Sequence, residues 1–95
     1  MSLYIVRVEL HSATEDDYET LHSSMSEEGF SRIIKGDNGV LYHLPTAEYT
    51  VTSSVGRSGI LASAKKAATT TGNPFAVLVS EATGGCTWEG LEVAR

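Results

Sequence analysis

Glu9 and His11 stand two residues apart in Leu3–His11, a segment where apolar and polar residues alternate. On an extended strand that spacing puts both side chains on one face. A carboxylate beside an imidazole can hold a divalent metal, or serve as acid and base on one substrate. Asp16 and Asp17 follow closely enough to add oxygen ligands. The plainer reading is a solvated strand end running into a helix cap. A two-residue cluster in a single sequence favours that reading.

Other residues capable of chemistry are scattered. His43 is a candidate base, but a strand-end histidine bonded to backbone is the simpler expectation. His22 falls in an apolar stripe, where half-buried packing is the default. Cys86 has no basic neighbour in sequence to lower its pKa and reads as inert. Ser53–Gly59 joins small residues to Arg57 before a helix, a way to hold phosphate, but it lacks the Walker spacing. Arg7, Arg32, Lys35 and Arg57 are the candidate basic surface. If Arg7 and Arg32 both face out, they share the sheet face that carries no helix. RNA-binding domains that stack bases place aromatics on that face, whereas Tyr4 and Tyr49 are expected to point inward.

The elements that must position these residues follow from hydrophobic rhythm. Period-2 runs cover Leu3–His11, Phe30–Lys35 and Val40–Thr52, and a last apolar run covers Phe75–Ser80. Helical periodicity covers Thr14–Glu28 and Ser58–Thr71. The order β-α-β-β-α-β predicts one α+β domain over residues 1–95 with a ferredoxin-like fold. With the expected strands numbered 1 to 4, the sheet order is 4-1-3-2, antiparallel, with both helices on one face. Tyr4, Val6, Val8 and Leu10 form the core side of the first strand. Ser12 and Thr14 are N-cap candidates, Gly29 is the helix stop, and Gly36–Gly39 is a hairpin turn. Pro45 is expected to bend the third strand without ending it. A Gly84-Gly85 turn leads to a possible extra strand, Cys86–Val93, carrying Trp88. Leu3 and Ile5 on the helix-free face, with that spare edge, predict a homodimer.

Composition narrows the class. The chain has 95 residues, 41% hydrophobic, with net charge −5. An acidic balance argues against strong unassisted binding to phosphate backbones. One cysteine excludes an internal disulfide. No leader-like or membrane-length apolar run is present, so the expected location is the cytoplasm, with no membrane contact.

Tyr4–His11, Asp17–His22, Gly29–Arg32 and His43–Tyr49 together resemble an uncharacterised bacterial family grouped with the GhoS antitoxin. GhoS is an endoribonuclease that disarms a membrane toxin by cutting its messenger RNA. It is similar in turn to the dimeric, ferredoxin-like nuclease-type adaptor of CRISPR systems. Those adaptors carry an acid at the end of strand one, and Glu9 is the nearest match. The resemblance implies RNA as partner. Glu9 would then be the metal ligand or base, His11 the proton carrier, and Arg7 and Arg32 the phosphate holders. Mg²⁺ or Mn²⁺ is the candidate cofactor. The alternative is a non-catalytic homodimeric interaction or regulatory module.

Overall fold

Strand β1, Ser2–Leu10, runs through the middle of the molecule. Its alternate residues Tyr4, Val6, Val8 and Leu10 are buried, while Arg7 and Glu9 are exposed. The computed structural model describes residues 1–94. After β1 come α1 (Glu15–Glu27), β2 (Ile33–Lys35), β3 (Leu41–His43), β4 (Glu48–Ser53), α2 (Gly56–Thr69) and β5 (Phe75–Glu81). The architecture is α+β, with two helices and antiparallel sheets.

β1 pairs with β4 on one side and β5 on the other, giving the order β4-β1-β5. Both helices pack on the face that carries Tyr4, Val6, Val8 and Leu10. Leu21 and Met25 from α1 and Ile60, Ala64, Ala67 and Ala68 from α2 complete that core. Small alanines let α2 lie close to α1. Thr14 caps α1: its hydroxyl accepts from Asp17 N–H at 3.2 Å, and Asp17 Oδ2 accepts from Thr14 N–H at 2.9 Å. Gly29, with φ +93°, ends the helix in the left-handed conformation that glycine adopts without strain. Glu28 lies at the unfavourable end of the α1 dipole, and Lys66 of α2 offsets it with a 3.5 Å ion pair.

The single four-stranded sheet expected from the sequence does not form. The 4-1-3 part of the expected order stands as β5-β1-β4, but β2 and β3 make a separate two-stranded sheet, so the second strand does not complete it. The reason lies at Ser31 and Thr50. Their backbones bridge at 2.7 and 2.8 Å, which starts a ladder between the β2 approach and β4. The ladder stops there because side chains take the next residue's backbone groups. Ser31 Oγ accepts from Ile33 N–H at 3.1 Å, and Thr50 Oγ1 donates to Ile33 C=O at 2.7 Å. Such local bonds compete with sheet pairing. The expected third strand also divides. β3 ends at His43, and Ala47 takes φ +68° before β4 begins. Pro45 sits in that turn and has no N–H to continue a ladder. β3 and β4 therefore belong to different sheets.

The expected strand Cys86–Val93 is replaced by an irregular segment tied at one bridge, Tyr42 to Val93. His43 N–H donates to Glu92 C=O, and Ala94 N–H to Leu41 C=O, each at 2.8 Å. Trp88 meets Tyr42 edge to face, with centroids 5.4 Å apart. The segment returns to the helix-free side of the sheet, where Trp88 shares one cavity with Leu3 and Ile34 and another with Ile5 and Leu44. Leu3 and Ile5 are accordingly half-buried.

Burial along β1 sets an energetic contrast with β5. Val6 is fully buried, so Val6→Ala will lower unfolding stability by about 2 kcal/mol through lost transfer energy and a cavity. Leu78→Ala, on the exposed side of β5, will change it by less than about 0.5 kcal/mol within a single copy of the chain, at protein concentrations low enough to keep copies apart. Urea unfolding followed by circular dichroism measures both.

Candidate active site

Glu9 and His11 come together as their spacing predicts. His11 Nδ1 lies 3.8 Å from Glu9 Oε1, with side chains 51% and 61% exposed. An ion pair that open to water is weak. Asp17 is committed to capping Thr14 and does not join them. Asn73 Nδ2 donates to the His11 and Ser12 carbonyls at 3.3 Å, holding Ser12 at φ +55° as the strand turns into α1. Arg7 and Glu9 share a shallow groove with Ala76 and Leu78 of β5 on the helix-free face. Among the described residues no three of His, Cys, Asp and Glu gather as a metal site.

Arg32 is not part of that group. Its charge acts on His22 of α1 and Tyr49 of β4, on the helix side of the sheet. His22 and Tyr49, with Tyr18, form a second cluster. The 3.6-residue repeat brings His22 onto the same face as Tyr18 and Leu21. β4 points Tyr49 inward opposite Val6, where it is fully buried. His22 Nδ1 and Tyr49 Oη lie 2.6 Å apart. Tyr18 tilts toward the imidazole at a centroid distance of 6.4 Å, and its hydroxyl accepts from Leu10 N–H at 3.2 Å.

Burial and charge set the protonation states. Burial, with help from the Arg32 guanidinium, holds the His22 pKa below its ordinary 6.5, and Glu19 opposes them. His22 is therefore neutral at pH 7. Burial also pushes the Tyr49 phenol upward against the pull of Arg32, so Tyr49 keeps its proton. Two arrangements satisfy the 2.6 Å contact. With Tyr49 O–H donating to Nδ1, the imidazole proton sits on Nε2, which becomes a donor. With Nδ1–H donating to Tyr49 Oη, Nε2 is a free base. One hydrogen bond thus lets the same ring act as acid or base. Among the described residues Arg32 has no carboxylate partner within ion-pair distance, which leaves its fork available to an anion.

The other candidates lie apart from both clusters. His43 is an exposed β3 residue whose N–H meets Glu92. Cys86 is exposed. Most of Ser53–Gly59 is the start of α2, entered through Gly56 at φ +80°, with no side-chain cap. The sequence signal for the His22 cluster was present but ambiguous. A histidine in an apolar stripe and an inward tyrosine both read as packing until the fold brings them together.

A family model for the endoribonuclease GhoS matches residues 1–82. The chain belongs to the GhoS endoribonuclease family. No curated protein matches it in sequence. The matched region spans β1 through β5 and includes Glu9, His11, His22, Arg32 and Tyr49. The segment that carries Trp88 lies beyond it. No helix among the described residues is long and apolar enough to cross a membrane.

Protonation of His22 is linked to folding. Its folded pKa lies below the unfolded value, so the unfolded chain binds the proton first. The contribution of His22 to stability is present above about pH 6.5 and is lost as pH falls toward the folded pKa. Urea midpoints measured from pH 8 to pH 5 will fall in the wild type. His22→Gln will remove part of that fall, and an equal fall in both proteins would refute the linkage.

Proposed function

We propose that this protein is a GhoS-type endoribonuclease antitoxin that cuts RNA in the cytoplasm, with His22, Tyr49 and Arg32 as its reacting centre. The observation that carries the proposal is the 2.6 Å bond between a half-buried imidazole and a buried phenol, on which the charge of Arg32 acts; among the described residues Arg32 has no acid partner within ion-pair distance. Family membership supports the reaction class. The strand order β4-β1-β5, with both helices on one face, supports a variant of the ferredoxin-like layout.

The chemistry follows from the protonation states. RNA carries its own nucleophile, the 2′-hydroxyl, next to the phosphate to be attacked. Nε2 of neutral His22 takes the 2′-OH proton while Nδ1–H donates to Tyr49 Oη. The 2′-oxygen bonds to phosphorus and the bond to the 5′-oxygen breaks; the departing 5′-oxygen takes a proton from water while the His22 imidazolium returns its proton to solvent, leaving a 2′,3′-cyclic phosphate and a 5′-hydroxyl. Arg32 holds the phosphate oxygens, where negative charge grows. Tyr49 is a positioning residue that fixes the ring and its tautomer.

Glu9, His11 and Arg7 make the second candidate centre, supported by the 3.8 Å approach of Glu9 to His11 and the presence of Arg7 on the same face. There Glu9 would hold Mg²⁺ or Mn²⁺ or act as base, and His11 would carry the proton.

Cleavage of messenger RNA by purified variants separates the two. His22→Ala will lower kcat by about 10²–10⁴, the range for loss of a general base. Arg32→Ala will lower kcat/KM, through a lower kcat from lost stabilisation of the growing charge and a higher KM from lost phosphate binding. The double variant Glu9→Ala/His11→Ala will stay within a few-fold of wild type, and chelation by EDTA will not stop the reaction. Activity lost in the double variant and in EDTA, but kept by His22→Ala, would move the chemistry to the end of β1. Absence of cleavage by the wild type on every RNA, with and without divalent ions, would leave the interaction-module reading.

A further inference from the structure

β5 forms one side of the three-stranded sheet, with β1 as its sole ladder partner among the described strands. His11 N–H donates to Pro74 C=O and Ala82 N–H donates to Leu3 C=O, both at 2.8 Å. With Ile5 opposite Ser80 and Arg7 opposite Leu78, residues 74, 76, 78, 80 and 82 are the ones that bond inward to β1. The N–H and C=O groups of Phe75, Val77, Val79 and Glu81 therefore point outward along the edge.

This edge lacks the usual protections. Phe75–Ser80 contains no charge and no proline, and the pairing to β1 runs without a bulge. Leu78, at the middle of the seven-residue strand, is 63% exposed. The side of β4 away from β1 is instead partly covered, by the bridge from Ser31 to Thr50.

We infer that β5 pairs antiparallel with β5 of a second copy of this chain, about a two-fold axis at Leu78. The register follows from the outward groups. Centred on Leu78, the pairing sets Val77 opposite Val79 and Phe75 opposite Glu81, so all four outward residues of each strand are bonded. Centring on Val77 or Val79 leaves outward groups unpaired. The Leu78 axis also keeps the only charged residue of the strand, Glu81, away from its own mate. The net charge of −5 is thus not concentrated at the seam.

The seam is apolar at Leu78 on the helix-free side and at Leu61, Val77 and Val79 on the helix side, where Arg57 and Ser58 also line the groove. Leu78 meets its symmetry mate on the helix-free side as a close, non-hydrogen-bonded pair. On the helix side, a groove of about 310 Å³ beside Leu61, Val77 and Val79 faces the same groove of the second copy. The product is a continuous six-stranded sheet. Arg7 from each copy then stands on one face, three strand spacings apart, roughly 15 Å. The interface does not depend on the reaction chemistry proposed above, and its test does not use cleavage.

The full chain will sediment as a dimer, at about twice its 10.1 kDa mass. Leu78→Lys will keep the circular dichroism spectrum of the wild type and sediment as a monomer. In a Cys86→Ser background, Leu78→Cys will give a disulfide-linked dimer on mild oxidation. Ala76→Cys in the same background will not, because the axis places Ala76 opposite Ser80. A wild-type monomer at high protein concentration, a dimer insensitive to Leu78→Lys, or equal cross-linking by both cysteine variants would overturn the inference.

Discussion

Burial of one face of β1 is the constraint on which the rest of the structure depends. Tyr4, Val6, Val8 and Leu10 leave water together, and each step of that alternation fixes the next. A one-residue slip would expose all four and bury Arg7 and Glu9 instead. The register also decides which residues of β4 and β5 can face the helices. Tyr49 is inward because it lies opposite Val6, and Leu78 is outward because it lies opposite Arg7. The buried phenol and the exposed leucine at the edge strand are consequences of a single pairing.

Electrostatics separates the two sides of the sheet. On the helix-free side, Glu9 and His11 approach in water, where attraction is screened. On the helix side, burial removes water from His22 and Tyr49, and the nearby Arg32 guanidinium disfavours another positive charge. The same imidazole chemistry therefore has different consequences at His11 and His22. Desolvation ties the proton of His22 to that of Tyr49 through one short bond.

The segment after β5 changes what the helix-free face offers. Trp88 returns over it, and Leu3, Ile5 and Ile34 line the cavities beneath. The anchor is Tyr42, which meets Trp88 with its ring and Val93 through its backbone bridge. The separate β2-β3 sheet thereby gains a partner that the central sheet does not supply. Apolar surface at the start of β1 is partly covered from within the chain, while Leu78 in β5 is left open.

Features set by neighbours in the chain were legible in the sequence. The inward set of β1, the Thr14–Asp17 capping box, the Gly29 stop and the Gly36–Gly39 turn all depend on contacts a few residues apart. So does the approach of Glu9 to His11, which needs only that β1 be extended. The division into two sheets depends on the hydroxyls of Ser31 and Thr50 reaching Ile33, and period-2 patterning does not distinguish a strand that joins a sheet from one that leaves it. The His22–Tyr49 pair spans 27 residues of chain. Each residue alone matches a packing role, and only docking of α1 on the sheet makes them a hydrogen-bonded pair with a shifted pKa. Local periodicity determined which side of each element is apolar. Tertiary structure decided which polar groups were shut away from water together, because desolvation depends on what every other segment covers.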